Sequence, residues 1–388
     1  MTMMVRDEID VVVPMLEHHF DQGVDLAIVT DNGSVDGTTE VLERYAATGK
    51  VELHHDPAHA KQQGRVVTTM ARRAFTEHGA DWVINADADE FLVPLDRSLT
   101  IRAALERTPV SLNAFTVPVV NLVGRPAERG AGIGRLTWRD HRSEEQLVAV
   151  GVHAHPTPNA IHVGDAGVQV SQGNHFVSLV SRGQPDPAVA MEVLHLPWRS
   201  WCQFSQKVVN SGLAYEASPD LRPSPRHHGM ADYRRARAGW LLNAFLLRLP
   251  PDTDLANGDA FVEDRWLADR LHSLVDRAVF PDLLSPALDG ANDQPFGTVE
   301  HSLRAEAGAL LLALERERAV DREREKELLD TVERLRRRVR RLRRERDAAR
   351  EKAAREAEWV PIGTDLKRVG RRVAGAVRRR AVRPRTSG

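Results

Sequence analysis

The sequence has very little cysteine and no long apolar run. Cys202 is the single cysteine among 388 residues, so no disulfide can form within the chain. The first ten residues include an acidic group where a signal peptide needs an apolar stretch. The longest apolar candidate, residues 240–249, is interrupted by Asn243 and Arg248. These absences predict a cytoplasmic protein without a membrane-spanning helix.

Glycine is missing from the loop after the first predicted strand, which reads Arg6-Asp7-Glu8. A dinucleotide-binding fold needs a glycine fingerprint at this place. An enzyme that makes activated sugars normally carries a phosphate loop rich in glycine and basic residues there. The sequence therefore argues against a dehydrogenase and against a sugar-nucleotide-forming transferase.

Charge is divided unevenly along the chain. Residues 315–388 contain 26 Lys and Arg against 14 Asp and Glu, a net charge of +12. Because the whole chain carries −1, the first 314 residues carry −13. This acidic part excludes a general nucleic-acid binder, whereas the basic part fits an anionic lipid surface, an acidic partner chain or nucleic acid. We expect no nucleic-acid partner.

Short apolar runs alternate with helical periodicity over residues 1–94, which is typical of βαβ units. Spacings of three and four residues predict a helix along Ile9, Val12, Val13, Leu16 and Phe20. The pattern predicts an α/β fold with a mixed, mainly parallel sheet flanked by helices. The predicted strands are 2–5, 25–30, 51–54 and 82–86, and the further helices are 37–47 and 62–78.

The later sequence divides into regions of different composition. Strand-like runs occur at 112–123 and 167–172, and helical patterns at 198–249 and 261–279. An apolar residue recurs every seventh position at Leu328, Leu335, Leu342 and Ala349, with Val332 and Val339 between them. This heptad pattern predicts a coiled coil and a homodimer through it; the alternative is a single solvated helix. Residues 366–385 form a basic amphipathic stretch that fits an anionic membrane surface or a disordered tail. The expected organisation begins with a core at 1–200, which comprises a nucleotide-binding half at 1–94 and an acceptor side at 95–200. A helical extension at 201–288 follows, and then a linker and helix start at 289–314, in which 289–297 is the linker. The chain ends with a coiled coil at 315–358 and a basic tail at 359–388.

An acidic cluster, Asn85-Ala-Asp87-Ala-Asp89-Glu90-Phe91, follows the apolar strand predicted at 82–86. Alternate spacing on an extended chain points Asp87 and Asp89 in the same direction, so both can face one cation. Carboxylate oxygens suit Mg²⁺ or Mn²⁺, which keep positions open for water and phosphate. Ligands of parallel sheets bind at the carboxyl ends of the strands. The cluster therefore predicts a metal site, against the alternative of a solvated acidic turn.

A second polar loop, from Thr30 to Thr38, follows the strand predicted at 25–30. Gly33 and Gly37 permit tight turns, and Asp36 can cap the next helix. Asp31 stands at the end of the strand, where its carboxylate can accept a hydrogen bond from a nucleobase or ribose. We predict that Asp31 contacts a nucleotide.

Three segments together resemble the glycosyltransferase family two superfamily, in particular its bacterial subgroup with an Asp-x-Asp-Glu-Phe metal motif. They are MMVRDE, HHFDQGVDLAIVTDNGSVDGTTEVL and WVINADADEF. The resemblance covers residues 1–94. It implies a GT-A fold, nucleotide binding by Asp31, and contact of Asp87 and Asp89 with metal and diphosphate. It also places Arg6 and Glu8 in the first nucleotide loop.

Weaker motifs of the same subgroup follow at Gly173-Asn174-His175 and from His195 to Lys207. His175 and His195 end apolar stretches, where histidine can ligate a metal or transfer protons. Arg199 and Lys207 could hold phosphate, and Lys61 could approach the donor at a helix start. The predicted metal ligands are Asp87, Asp89 and His195.

An inverting transferase needs a base that takes the proton of the acceptor hydroxyl. The sequence leaves several candidates, of which His175 and Glu192 are our choice over Glu144, Glu145 and Asp165. The predicted activity is metal-dependent transfer of a sugar from a nucleotide-diphosphate donor to a glycan, lipid or other envelope acceptor. The basic tail would bring the enzyme to the inner face of the membrane. The alternative is a noncatalytic coiled-coil scaffold.

Overall fold

The computed structural model describes residues 1–58, 62–218 and 228–358. The chain divides into two compact units, Met1–Glu315 and Arg316–Gly388. Lys61 and the predicted basic tail at 359–388 lie outside the described residues. The predicted domain boundaries stay predictions.

The strands and helices follow each other in the order expected for an α/β protein. The strands are β1 Thr2–Val5, β2 Ala27–Asp31, β3 Val51–His55, β4 Trp82–Ile84, β5 Glu90–Pro94, β6 Ala114–Val117, β7 Val119–Val123, β8 Ala127–Arg129, β9 Trp138–Asp140, β10 Asn159–Val163, β11 Met191–His195, β12 Phe261–Glu263 and β13 Gln294–Pro295. The helices are α1 Val12–Asp21, α2 Thr38–Ala46, α3 Gln63–Thr76, α4 Ile101–Glu106, α5 Glu144–Ala149, α6 Trp201–Glu216, α7 His228–Arg237, α8 Leu241–Arg248, α9 Asp252–Asn257, α10 Trp266–Leu274, α11 Pro281–Leu288 and α12 Thr298–Glu358.

The first strands form a parallel sheet with the order β1-β2-β3. A parallel bridge between Thr2 and Asn85 brings the chain just after β4 beside β1. Side chains alternate between two cores: Met3 packs with α1 on one face, and Ile28 packs with Val67 of α3 on the other. The predicted α/β fold is therefore confirmed, and the carboxyl ends of β1, β2 and β4 share one edge.

Beyond β4 most pairings of the described strands are antiparallel. One sheet has the order β4-β10-β6 and another the order β12-β9-β7-β11-β5, in which β7 and β11 run parallel. β5 pairs with β11 so that Glu90 lies opposite His195. This register brings the end of β11 beside the acidic cluster that follows β4.

Two adjacent histidines of α1 bind both backbone groups of one residue in β5. His18 donates from Nε2 to the carbonyl of Leu92 at 2.8 Å, and the amide of Leu92 donates to His19 Nε2 at 3.3 Å. His19 donates from Nδ1 to the carbonyl of Met15. Both rings are fully buried. They satisfy backbone groups that β11, on the other side of β5, does not reach.

Two sequence expectations differ from the structure. The segment 167–172 is not a strand, because its only ladder contact among the described residues is a single bridge between Val170 and Val177. The segment 289–297 is not an open linker, because β13 pairs with β8 and Asp293 binds Arg135 at 3.0 Å. Charge pairing holds this polar segment against the core.

The helix predicted for residues 315–358 is present as the second part of α12. Its heptad residues are exposed, and whether they form a coiled coil stays a prediction. Within the described ranges, no helix combines the length and apolarity that crossing a bilayer requires.

Candidate active site

Asp89 is the centre of a buried cluster of charges at the carboxyl edge of the parallel sheet. Its Oδ2 atom lies 2.6 Å from Lys207 Nζ, 3.2 Å from Arg199 Nη1 and 3.7 Å from His195 Nε2. Its Oδ1 atom is buried and has no hydrogen-bond partner among the described residues. One oxygen of this carboxylate is thus neutralised by protein cations, while the other is unsatisfied.

Arg199 joins the acidic cluster to the first loop. Its guanidinium is completely buried and binds Glu8 and, at 2.8 Å, Asp10, both of which follow β1. It stands one residue before Ser200, which caps α6. Because three carboxylates surround it, Arg199 is not free to hold phosphate, and this corrects the sequence expectation. It fixes Glu8 and Asp89 relative to each other.

The cluster shifts the pKa values of its members. Burial raises the pKa of Glu8 to about 7, against the opposing effect of Arg199 and Lys207. Burial would also raise the pKa of Asp89, but Lys207, His195 and Arg199 outweigh it and hold that pKa well below its usual range. The Lys207 side chain is 45% exposed, and Asp89 and Glu8 outweigh its partial desolvation and raise its pKa. Asp89 and Lys207 are therefore both charged at neutral pH.

Asp87 lies at the other side of the cluster and is held by amide groups. Its Oδ1 atom accepts hydrogen bonds from Gln63 at 2.9 Å and from Asn174 at 3.0 Å. Asn174 is buried and has a left-handed φ of 64°, which asparagine tolerates better than most residues. The motif Gly173-Asn174-His175 therefore contacts Asp87 through its asparagine.

A hydrogen-bond chain determines the tautomer of His175. The backbone amide of Asp87 donates to Glu90 Oε2, so this oxygen is an acceptor, and Asn159 Nδ2 donates to it at 2.7 Å. Asn159 Oδ1 then faces His175 Nδ1 at 3.1 Å, and Nδ1 must carry the proton. Burial lowers the pKa of His175, against the opposing effect of Asp87. The neutral ring therefore has its lone pair on Nε2.

His195 has a similar arrangement next to Asp89. Its Nδ1 lies 2.9 Å from Asn121 Oδ1 and donates to it, which leaves Nε2 facing Asp89. Burial opposes protonation of this ring, but Asp89 outweighs burial and raises its pKa. Metal-bound histidines commonly donate their second N–H to such an acceptor.

Asp31 and Arg6 shape the nucleotide loops predicted from the sequence. Asp31 accepts hydrogen bonds from Ser34 at Oδ1 and from Thr39 at Oδ2, 2.7 Å away. A carboxylate has about four acceptor positions, so Asp31 retains capacity for a further donor. Arg6 donates to the carbonyl of Asn32 at 2.8 Å and links the two loops.

Glu192, the second predicted base, lies outside this cluster. Its carboxylate binds Arg97 at 2.7 Å and Arg139, on the opposite face of β11 from His195. Asp264 binds the same arginine at 2.9 Å. We therefore assign Glu192 to a structural ion network that joins the sheet to the segment after β12.

A cavity of about 430 Å³ opens beside the cluster. Lys207 lines it, together with residues of the first loop, of α6, of the end of β8 and of the end of α11. Examples are Arg6, Asp10, Gln206, Asn210, Arg129 and Ala287. A ligand in this cavity would contact the ammonium group that neutralises Asp89.

The residues present fit a divalent metal only in part. No group of three or more histidine, cysteine or acidic side chains suited to a metal occurs within the ranges that the structure describes. A complete protein cage is therefore absent from these ranges. Mg²⁺, however, commonly uses one or two carboxylates and takes its other ligands from phosphate and water. The unsatisfied Asp89 Oδ1 meets this requirement.

Sequence reasoning did not single out Asp10 or Asn159, and it named Glu90 only as a member of the acidic cluster. A polar residue at the start of the apolar strand β10 was the available signal for Asn159. Arg199, which binds Asp10, is distant from it in sequence, and no local pattern identifies that contact.

Comparison with known proteins supports a glycosyltransferase. The model of glycosyltransferase family 92 matches residues 2–111. This match does not test the narrower assignment to family two, which stays a prediction. No curated protein matches the chain.

Among solved structures, the crystal structure of S. aureus TarS 1-349 is 11% identical, covers 82% of this chain and 90% of its own, and has a TM-score of 0.29. The TarS 1-349 complex with UDP is 10% identical, covers 82% of this chain and 90% of its own, and has a TM-score of 0.29. The complex with UDP-GlcNAc is 11% identical, covers 82% of this chain and 91% of its own, and has a TM-score of 0.30. At these scores the structures do not establish a common fold. The match over residues 2–111 includes Glu8, Asp31, Asp87 and Asp89, and it is this segment of the chain that is similar to a glycosyltransferase.

Proposed function

We propose that this protein is a metal-dependent glycosyltransferase that moves a sugar from a nucleotide-diphosphate donor to a glycan, lipid or other envelope acceptor, with inversion. The observation that carries the proposal is the buried and unsatisfied Oδ1 atom of Asp89, at the carboxyl edge of the sheet and within the segment matched by the family model. Such an edge is where open α/β sheets bind their ligands.

In this proposal Asp89, through its unsatisfied Oδ1 atom, would be the first ligand of Mg²⁺ or Mn²⁺. Asp87 and the Nε2 atom of His195 would join it only by moving, because the described residues do not form a three-ligand group in the present arrangement. The metal would supply Lewis-acid chemistry toward the diphosphate. Lys207 keeps Asp89 ionised and adds positive charge where the leaving diphosphate becomes more negative. Arg6 and Glu8 support the first nucleotide loop, and Asp31 accepts a hydrogen bond from the nucleoside.

The proposed base is His175, through Nε2. Its Nδ1 proton is committed to Asn159, so the other nitrogen is the one that can accept the proton of the acceptor hydroxyl. Its lowered pKa keeps the ring neutral at pH 7. Glu192 has no such freedom, because two arginines bind its carboxylate.

The experiment is donor hydrolysis, in which a panel of nucleotide sugars is incubated with Mn²⁺ or Mg²⁺ and the released nucleoside diphosphate is measured. Wild type is compared with Asp89→Asn, which keeps the shape of the side chain, and with Glu192→Gln as a matched control outside the cluster. We expect metal-dependent release from one donor, lost in Asp89→Asn and retained in Glu192→Gln. Release from no donor, together with no nucleotide binding by calorimetry, would support the scaffold instead.

A further inference from the structure

The second part of α12 has an apolar seam that the described residues leave exposed. We define the seam as Leu328, Val332, Leu335, Val339 and Leu342, whose spacing of three and four residues places them on one side of the helix. Their exposures lie between 41% and 62%. Five aliphatic side chains in register are typical of a helix that packs against another helix.

The seam is surrounded by arginine. Residues 334–346 contain nine arginines and one glutamate, a net charge of +8. Acidic residues of the same helix contact only some of these arginines within the described part of the chain. These contacts are exposed and join Arg337 to Glu333 at 2.9 Å, Arg341 to Glu345 at 3.6 Å and Arg346 to Asp347 at 2.7 Å. The flanks of the seam thus present strong positive charge to whatever covers it.

This charge opposes a second copy packed in parallel as the occupant. In a parallel pair with the seam in register, Arg338 of one helix would face Arg343 of the other, and Arg346 would enter the seam itself. Packed helices have axes about 8–10 Å apart, which is within the Debye length of about 10 Å at 0.1 M salt. Salt therefore does not remove the repulsion.

The shape of the seam opposes a lipid surface. A helix that lies in a membrane interface has a wide apolar face, often with tryptophan or phenylalanine. Here the seam occupies two of seven positions, Leu329 is the one aliphatic residue beside it, and residues 328–346 contain no aromatic residue. That narrow stripe fits the knobs-into-holes packing of a partner helix.

We propose that the seam binds an amphipathic helix of a partner protein that has aliphatic residues at its own seam and Glu or Asp at the flanking positions. The partner's acids would pair with Arg336, Arg338 and Arg343, which flank the seam. Exposed ion pairs of this kind change affinity about twofold each. The flanks therefore select the partner, and the aliphatic residues supply most of the affinity.

The test uses the full chain and two synthetic four-heptad peptides with the same Leu/Val seam, one with Glu and one with Lys at the flanking positions. Fluorescence anisotropy should show that the Glu peptide binds about tenfold or more tightly than the Lys peptide at low salt. The double variant Leu335→Asp/Val339→Asp should lose binding. Val320→Asp, which changes an exposed residue of α12 outside the seam, should retain it.

A charge-reversed variant, Arg336→Glu/Arg338→Glu/Arg343→Glu, should prefer the Lys peptide, and this result cannot come from misfolding. Equal affinity for the two peptides would overturn the proposal. So would a dimer of the wild-type chain in sedimentation equilibrium that Leu335→Asp abolishes, because the occupant would then be a second copy. Seam-dependent binding to anionic vesicles or to duplex DNA, without binding to the Glu peptide, would overturn it as well.

Discussion

The histidine pair of α1 gives a measurable dependence of stability on pH. His18 and His19 are buried as neutral rings, and each tautomer is fixed by the bonds to Leu92 and Met15. Protonation would place a charge on His18 Nδ1, which is buried without a partner among the described residues, and would break the bond from Leu92 to His19. Burial accordingly lowers the pKa of His18 from 6.5 to about 4 and that of His19 to about 3.

The magnitude follows from proton linkage. Both folded-state pKa values lie below the unfolded value, so the unfolded chain binds more protons as the pH falls below 6.5. The contribution to stability is complete above pH 6.5 and decreases as the pH falls toward the folded-state values. The free energy of unfolding falls by about 1.4 kcal/mol per pH unit and proton. At pH 5 each ring therefore lowers it by about 2 kcal/mol, and the pair lowers it by about 4 kcal/mol. This is a large part of the stability of an ordinary domain.

The assay is urea unfolding between pH 8 and pH 5, for wild type and for His18→Gln/His19→Gln, whose amides reach the same backbone groups without titrating. Burial raises the pKa of Glu8 and Glu90 to about 7, so these two carboxyls stabilise the fold as the pH falls. Both proteins contain them, and the difference between their free energies of unfolding therefore isolates the effect of the histidines. We expect the free energy of unfolding of the wild type, relative to that of the double variant, to fall by about 4 kcal/mol between pH 8 and pH 5. A change below about 1 kcal/mol would refute the neutral, buried pair.

Three further predictions concern the candidate active site. Lys207→Met should tighten Mn²⁺ binding in calorimetry, because it removes the competing ammonium from Asp89, and it should slow donor hydrolysis about 100-fold. Lys207→Arg should change neither the Mn²⁺ affinity nor the hydrolysis rate. An unchanged Mn²⁺ affinity in Lys207→Met would contradict this prediction. Glu192→Gln should lower the free energy of unfolding by about 3 kcal/mol without changing the hydrolysis rate of folded protein, and a loss of rate at full stability would make it the base. Asn159→Ala should lower kcat about tenfold with little change in KM, because His175 can then exchange tautomers; an altered KM alone would point to substrate binding instead.

Local patterns were sufficient to predict β1 to β4 and the helices between them. Each element there alternates or repeats within its own length, and the edge that collects Asp31, Asp87 and Asp89 follows from parallel topology. The expected strand at 167–172 failed because an apolar run makes a strand only where a neighbour offers backbone groups, and here a single bridge forms. The role of Arg199 was predicted wrongly because three carboxylates from distant parts of the chain surround it.

The position of Arg199 also affects the order in which the protein can mature. During synthesis Glu8, Asp10 and Asp89 are made well before the single guanidinium that binds all three, and domains generally fold as units. Until Arg199 arrives, burying these acids is strongly unfavourable. These acids of the first 94 residues are therefore buried late, and a nascent chain that stops before residue 199 would leave them hydrated.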